Sequence, residues 1–401
     1  MFRRFGSLPF LLPGCALGLL AAVGLLSALS CRPRPVTLGV LLPLTGEFAI
    51  YGRPMREGAE LAAEAVNREG GVGGRRLDLR IRDTGGTPRG AADGALALIE
   101  QEQVPAIVAG GTSAEVLSAA PVAQRFGRVL LSPSASSPKL TDAGDWIFRN
   151  FPSDVLEGKV MADFAAFTLH ASRVLVVASE NPYSDGLRGE FCRAFESASR
   201  STETLLFRSG QTRYGDLAAQ VASRGDAIQA LYLVGYTGEL VPLVKALHAA
   251  GETRPLLTTS AVAGPEFARQ LGAAAESTVF PRPAFDLADT QPPVAQFVAA
   301  YRARFGADPD IYAAHAYDAV RILAKVAGEL GPRPDALRQG LLELRNYPGA
   351  SGATTFDANG DVIQPYQLCV LLSGRVVSLQ DVRQTALPPL QRRVETRRFG
   401  R

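Results

Sequence analysis

Residues 105–119 read PAIVAGGTSAEVLSA. Residues 105–108 form a short apolar run of the kind a buried strand needs, and from Ser113 to about Gln124 apolar residues recur at helical spacing. Between the two lie Gly110, Gly111, Thr112 and Ser113. A strand-to-helix junction leaves unpaired backbone N–H groups at the helix start, where the helix dipole is positive. Small residues let a ligand come close to those groups, and hydroxyls add donors, so the junction suits an anion. An equally simple reading makes Thr112 or Ser113 an N-cap that needs no ligand. These residues alone leave both readings open.

Outward from this junction the same alternation fills the chain. Val36–Leu42 (VTLGVLL) is a continuous apolar run, as in a sheet covered on both faces, and residues 51–67 follow at helical spacing. Residues 77–81 read as a strand, 91–99 as a helix, and 106–108 and 129–131 as short buried strands. After Asn150-Phe151-Pro152 the pattern starts again. Strands are expected over 174–177, 203–207, 230–234 and at Leu256-Leu257, separated by helices over 155–169, 187–197, 217–223 and 240–249. Helices around 294–304, 312–326 and 335–344 follow. Residues 362–372 and 376–379 then read as a hairpin across Ser373-Gly374, and the chain ends in an Arg-rich polar tail. Repeated βαβα alternation predicts an α/β fold with two doubly wound parallel-sheet lobes. In such sheets ligands bind beyond the C-terminal strand ends. Here those ends are segments 43–51, 110–113, 132–136, 178–183, 235–237 and 258–260, rich in Ser, Thr, Gly and Tyr and poor in charge. That composition suits a cleft for a small ligand.

The 401 residues allow two domains and a targeting segment, and a net charge of +3 gives no concentrated basic face for nucleic acid. Four cysteines and three histidines are scattered, with no CxxC or HExxH, so no metal site is expected. GGVGG (70–74) follows a helix and precedes a strand, the reverse of a phosphate cradle, and reads as a turn. DANGD (357–361) starts like a calcium loop, but Leu368 stands where its bidentate glutamate belongs, so it too reads as a turn. There is no GxSxG elbow. Neither a cofactor nor catalysis is expected.

At the N-terminus, Arg3 and Arg4 precede an apolar run over 5–29 that ends Ala28-Leu29-Ser30-Cys31. This is the form of a secretory signal. Cys31 after the small Ser30 resembles a bacterial lipobox, in which the cysteine is lipid-modified and becomes the mature N-terminus; an uncleaved anchor helix is the alternative. Either places the rest of the chain outside the cytoplasmic membrane. Cys192 and Cys369 remain, and read more readily as two separate buried thiols than as a pair.

Several stretches carry a family resemblance: GVLLPLTGEFAIYGRPMREGAELAAEAVN (39–67), REGGVGGRRLDLRIRDTGGTP (68–88), GGTSAEVLSAAPVAQ (110–124), LSPSASSPKLT (131–141), ENPYSDGL (180–187), YLVGYTGEL (232–240) and HAYDAV (315–320). In order and spacing over about 36–379 the chain resembles the leucine/isoleucine/valine-binding protein family of ABC-transporter substrate-binding proteins, with the type I periplasmic binding fold. The resemblance implies lobe one over 36–152 plus 284–352 and lobe two over 153–283 plus 353–380. A signal peptide (1–30) and a lipid-anchored linker (31–35) precede them, and a basic tail (381–401) follows. A hinge of three chain crossings, near 150–153, 281–285 and 350–355, would join the lobes around the cleft. It further implies a carboxylate seat at Ser113, Ser134 and Ser136, a side-chain pocket drawn by Tyr51, Tyr183 and Tyr236, and Ser260 at the position facing the ligand's amine.

Ser260 is a departure, because amino-acid-binding members resemble one another in presenting an acid there. Loss of one partner from a buried ion pair costs roughly 3–5 kcal/mol. Either another carboxylate compensates, with Glu47 and Glu180 ahead of Asp286, or the ligand is a carboxylate without an amine, such as an aromatic or branched oxo acid. The resemblance implies an exported, membrane-anchored receptor that hands a small carboxylate to an ABC permease. A ligand-sensing or regulatory scaffold of the same fold, acting on a partner protein, is the second possibility.

Overall fold

The computed structural model describes residues 34–384. The expectations for the leader, for Cys31 and for the tail beyond residue 384 lie outside the described residues. Residues 381–384, expected to open that tail, instead end a short helix, Leu379–Gln384.

The first sheet contains β1 (Val36–Leu42), β2 (Leu77–Asp83), β3 (Ala106–Ala109), β4 (Val129–Ser132) and β5 (Ile147–Arg149) in the order β2-β1-β3-β4-β5. All its pairings are parallel. The second begins with β6 (Arg173–Glu180), β7 (Ser201–Arg208), β8 (Ala230–Val234), β9 (Leu256–Leu257) and β10 (Val279–Pro283), parallel in the order β7-β6-β8-β9-β10. The two orders are the same arrangement used twice. In each, the first strand has its successor on one side and the third strand on the other, and that reversal opens a crevice at the carboxyl ends. A two-stranded ribbon, β11 (Tyr347–Gly349) with β12 (Gly352–Thr354), precedes β13 (Tyr366–Leu372) and β14 (Arg375–Ser378), which extend the second sheet antiparallel. Ser373 and Gly374, both at positive φ, make the expected hairpin turn.

The strands alternate between cores. Leu38 and Val40 face one apolar cluster while Leu41 and Ile107 face another, and in the second sheet Val174 and Val176 separate likewise from Leu175 and Val177. Burial on both faces is why these strands read as unbroken apolar runs.

The chain passes between the sheets three times: from β5 to β6, from β10 to helix Pro292–Phe305, and from β12 to β13. Helix Ile311–Leu330 returns to pack along helix Ala49–Arg68. Gly58 permits that approach, since a Cβ there would lie 2.1 Å from the Ala313 carbonyl oxygen. The DANGD turn docks on β5. The Arg149 N–H donates to the Gly360 carbonyl at 2.9 Å, and Gly360 has φ +80 with its missing Cβ 2.5 Å from the Ile147 oxygen. The helix expected over 155–169 runs as Asp154–Asp163 and then widens to a π turn over Phe164–Thr168. Cys192 and Cys369 are free thiols.

Candidate functional site

The junction at residues 110–113 satisfies both of its readings with different residues. Thr112 is the N-cap of helix Ser113–Phe126: its hydroxyl accepts the Glu115 N–H at 3.2 Å, and the Glu115 carboxylate accepts the Thr112 N–H at 2.9 Å. Glu115 is buried and also receives the Thr84 hydroxyl. With the cap supplied by Thr112, Ser113 is left to face the cleft, its hydroxyl accepting the Ser137 N–H at 3.3 Å. Ser134, on the loop after β4, clasps Gly111 by accepting its N–H at 2.9 Å and donating to its carbonyl at 3.1 Å. Ser136 fixes the neighbouring crossing, its carbonyl accepting the Asp154 N–H at 2.9 Å.

From the second sheet come Tyr183, in the first turn of helix Pro182–Phe195 after β6, and Tyr236, at the start of helix Thr237–Ala249 after β8. Asn181 caps the first helix by accepting the Ser184 N–H at 2.9 Å. Glu239 holds the start of the second, accepting the Tyr236 N–H at 3.0 Å and the Ser179 hydroxyl at 2.7 Å. The two rings stack with centroids 5.0 Å apart.

Ser113, Ser134, Ser136, Tyr51, Tyr183, Tyr236 and Ser260 line one narrow cavity between the sheets, so all seven residues singled out from the sequence meet at one place. The crevice of each sheet opens into it. Gly111, Phe151, Ala261 and Tyr312 complete the wall. Tyr312 and Phe151 stack at 6.1 Å, and Tyr312 meets Tyr51 edge-on at 5.1 Å. Tyr51 spans the gap: its hydroxyl donates to the Ala261 carbonyl at 3.2 Å and accepts the Thr237 N–H at 2.9 Å. Burial pushes its phenol up to about 12, so it stays a neutral donor.

None of the three compensating acids named from the sequence lines this cavity. Glu47, Glu180 and Asp286 are exposed. The carboxylate beside Ser260 is Glu157, fully buried, which accepts the Ser260 N–H at 2.8 Å and its hydroxyl at 2.6 Å. Burial pushes Glu157 up to about 7. Asp154, also buried, is held well above the usual carboxylate range, first by burial and then by the Glu157 charge. Neither is among the acids named from the sequence, since acids in a first helical turn are ordinary complements of the helix dipole. In the structure Asp154, Glu157, Gly158 and Met161 lie on the buried stripe of their helix while the apolar Val155 is exposed, so apolar periodicity does not point to the two acids. His315 is buried against Phe151 (4.9 Å between rings), and burial lowers it to about 3, so it packs as a neutral ring. Among the described residues no group of His, Cys, Asp and Glu is arranged to hold a metal.

A family model described as periplasmic binding protein matches residues 35–375. The chain is 26% identical over 351 residues to Leu/Ile/Val-binding protein homolog 3 of Brucella melitensis, a match covering 86% of this chain and 94% of that protein. The crystal structure of a leucine binding protein, LivK, from Thermotoga maritima superposes with a TM-score of 0.81 at 28% identity, covering 86% of this chain and 97% of that one. An ABC transporter substrate-binding protein from Desulfitobacterium hafniense in complex with Leu superposes with a TM-score of 0.74 at 26% identity, covering 86% and 100%.

Proposed function

Since this chain belongs to the periplasmic binding protein family, a class of exported solute receptors rather than enzymes, we propose that it binds a small carboxylate ligand between its two halves and delivers it to an ABC permease. In this reading Ser113 and Ser136 with the amides at the start of helix Ser113–Phe126 hold the carboxylate, and Ser134, whose hydroxyl proton goes to the Gly111 carbonyl, lines the seat and fixes Gly111 beside it. Charge-assisted bonds of this kind are roughly twice as strong as neutral ones. Tyr51, Tyr183 and Tyr236 enclose the ligand's side chain, each a flat apolar wall with a polar tip. The single observation that carries the reading is convergence: loops from the carboxyl ends of both sheets place hydroxyls and aromatic rings around one cavity.

The crossings near 150–153, 281–285 and 350–355 serve as the hinge between lobe one (36–152 plus 284–352) and lobe two (153–283 plus 353–380). Contacts made from both lobes exist only when they are closed, so a ligand that needs both shifts that population. Acylation of Cys31 would hold the receptor at the membrane beside its permease, and the mass of the mature N-terminus tests this point.

The test of ligand class is calorimetric titration of the mature protein after unfolding and refolding to strip carried-over solute. The panel pairs leucine, valine and phenylalanine with their oxo acids and with benzoate. Saturable binding of at least one carboxylate, lost or greatly weakened in Ser113→Ala and Ser136→Ala, is the expected result. Silence across the panel from folded protein contradicts the carboxylate seat.

A further inference from the structure

Ser260 and Glu157 form a unit whose polarity is defined by its hydrogen bonds. The Glu157 carboxylate takes both donors that Ser260 owns, the backbone N–H at 2.8 Å and the hydroxyl proton at 2.6 Å. A serine hydroxyl has one proton and two lone pairs. With its proton committed to Glu157, Ser260 can offer the cavity it lines only an acceptor. Such an acceptor, backed by a buried negative charge, favours a cationic donor and disfavours a second oxygen bearing lone pairs.

The surroundings leave that charge without an internal cation. Arg149 is the guanidinium whose charge acts on Asp154, and it is spoken for: Nε and Nη2 donate to Asp361 at 2.6 and 2.7 Å, and Nη1 donates to the carbonyls of Ser136 and Ser137 at 2.9 and 2.8 Å. Asp154, one turn before Glu157, has only the Ser136 hydroxyl beside its carboxylate and no cation of its own. A buried charge without a partner is costly, and a pair of carboxylates this close is tolerated only if a cation joins it or a proton is retained. The cavity thus has two chemically opposite ends, with donors at Ser113 and its helix start and an acceptor backed by carboxylates at Ser260.

We propose that Glu157, acting through Ser260, is the specificity-determining positioning residue that makes this cavity select a ligand carrying a primary ammonium together with its carboxylate over the amine-free acid of the same shape. Glu157 supplies from helix Asp154–Asp163 the charge that Ser260 itself lacks. This inference rests on the carboxylate-receptor reading given above.

The test compares leucine with 4-methylpentanoate, the same skeleton without the amine, by calorimetry on the unaltered mature protein and on Glu157→Gln, Ser260→Ala and the double variant. The unaltered protein is expected to prefer leucine. In Glu157→Gln that preference should fall by roughly thirtyfold or more, the scale of losing one member of a buried charged pair, while the affinity for 4-methylpentanoate holds or rises. Ser260→Ala should lose the same preference, and the double variant should be no worse than either single one, because one path carries both effects. Should Glu157→Gln fail to fold, Ser260→Ala reads the same preference. An unchanged ratio in both variants, an equal loss for both ligands, or binding of the amine-free acid alone by the unaltered protein overturns the role of Glu157. Binding of neither ligand by the unaltered protein overturns this role and the carboxylate-receptor reading together.

Discussion

At the scale of single residues, the site pays in stability for its polarity, and Glu157 shows the sign. Burial lifts its carboxyl from 4.5 to about 7 in the folded chain. Below pH 4.5 the group is protonated both folded and unfolded, and its contribution to stability is intact. Between 4.5 and 7 the unfolded chain ionises freely while the folded chain resists, so that contribution is lost as the pH rises through the window, by on the order of a few kcal/mol. Glu157→Gln removes this dependence. By scanning calorimetry the variant should melt above the unaltered protein at pH 8, and the gap should close at pH 4. A gap independent of pH would mean that Glu157 does not titrate as a buried acid. Ser260 illustrates why the site was only partly legible at this scale. The serine stands where an acid was expected, and the carboxylate that replaces it is supplied from more than a hundred residues earlier in the chain.

At the scale of elements, strand-end loops announced themselves and helix faces did not. Ser113, Ser134, Ser136, Tyr183 and Tyr236 follow short apolar strands, where a parallel sheet must place its ligand contacts. Tyr312 and Phe151 escaped because nothing local distinguishes an aromatic in a returning helix or a chain crossing from one in a core. The strand Val279–Pro283 was likewise unread, since its two prolines argue against a strand. The DANGD turn was legible as a turn but its work was not. Asp361 reaches from that turn to Arg149 on β5, whose side chain is only 2% exposed. Arg149 in turn holds the carbonyls of Ser136 and Ser137. Removing one partner of such a buried pair strands the other charge at a cost of about 3–5 kcal/mol. Asp361→Ala should therefore destabilise the fold by that order, read as a lower urea midpoint at an unchanged slope, whereas Asp357→Ala, which loses only bonds within the turn, should lower the midpoint less. Equal midpoints for the two variants would contradict the bridging role of Asp361.

At the scale of the whole molecule, repetition was the most readable property. Two runs of βαβα alternation correspond to two sheets with the same strand order, and the expected C-terminal hairpin forms and extends the second sheet. The relative placement of the halves was not readable from periodicity, because it depends on which helix returns to which sheet. Helix Ile311–Leu330 returns the chain to the first half by packing on Ala49–Arg68 with the close approach at Gly58, and the three crossings tie the second half to it. With the halves so placed, Tyr51 bridges to Ala261 and Thr237 across the cleft. In the function proposed here a small carboxylate closes the two halves around this cavity. Small-angle X-ray scattering on the ligand-stripped protein, alone and saturated with the tightest-binding member of the titration panel, tests it most directly. A fall in the radius of gyration on saturation, diminished in Tyr51→Phe, is the predicted result. Saturable binding with an unchanged radius of gyration would contradict closure.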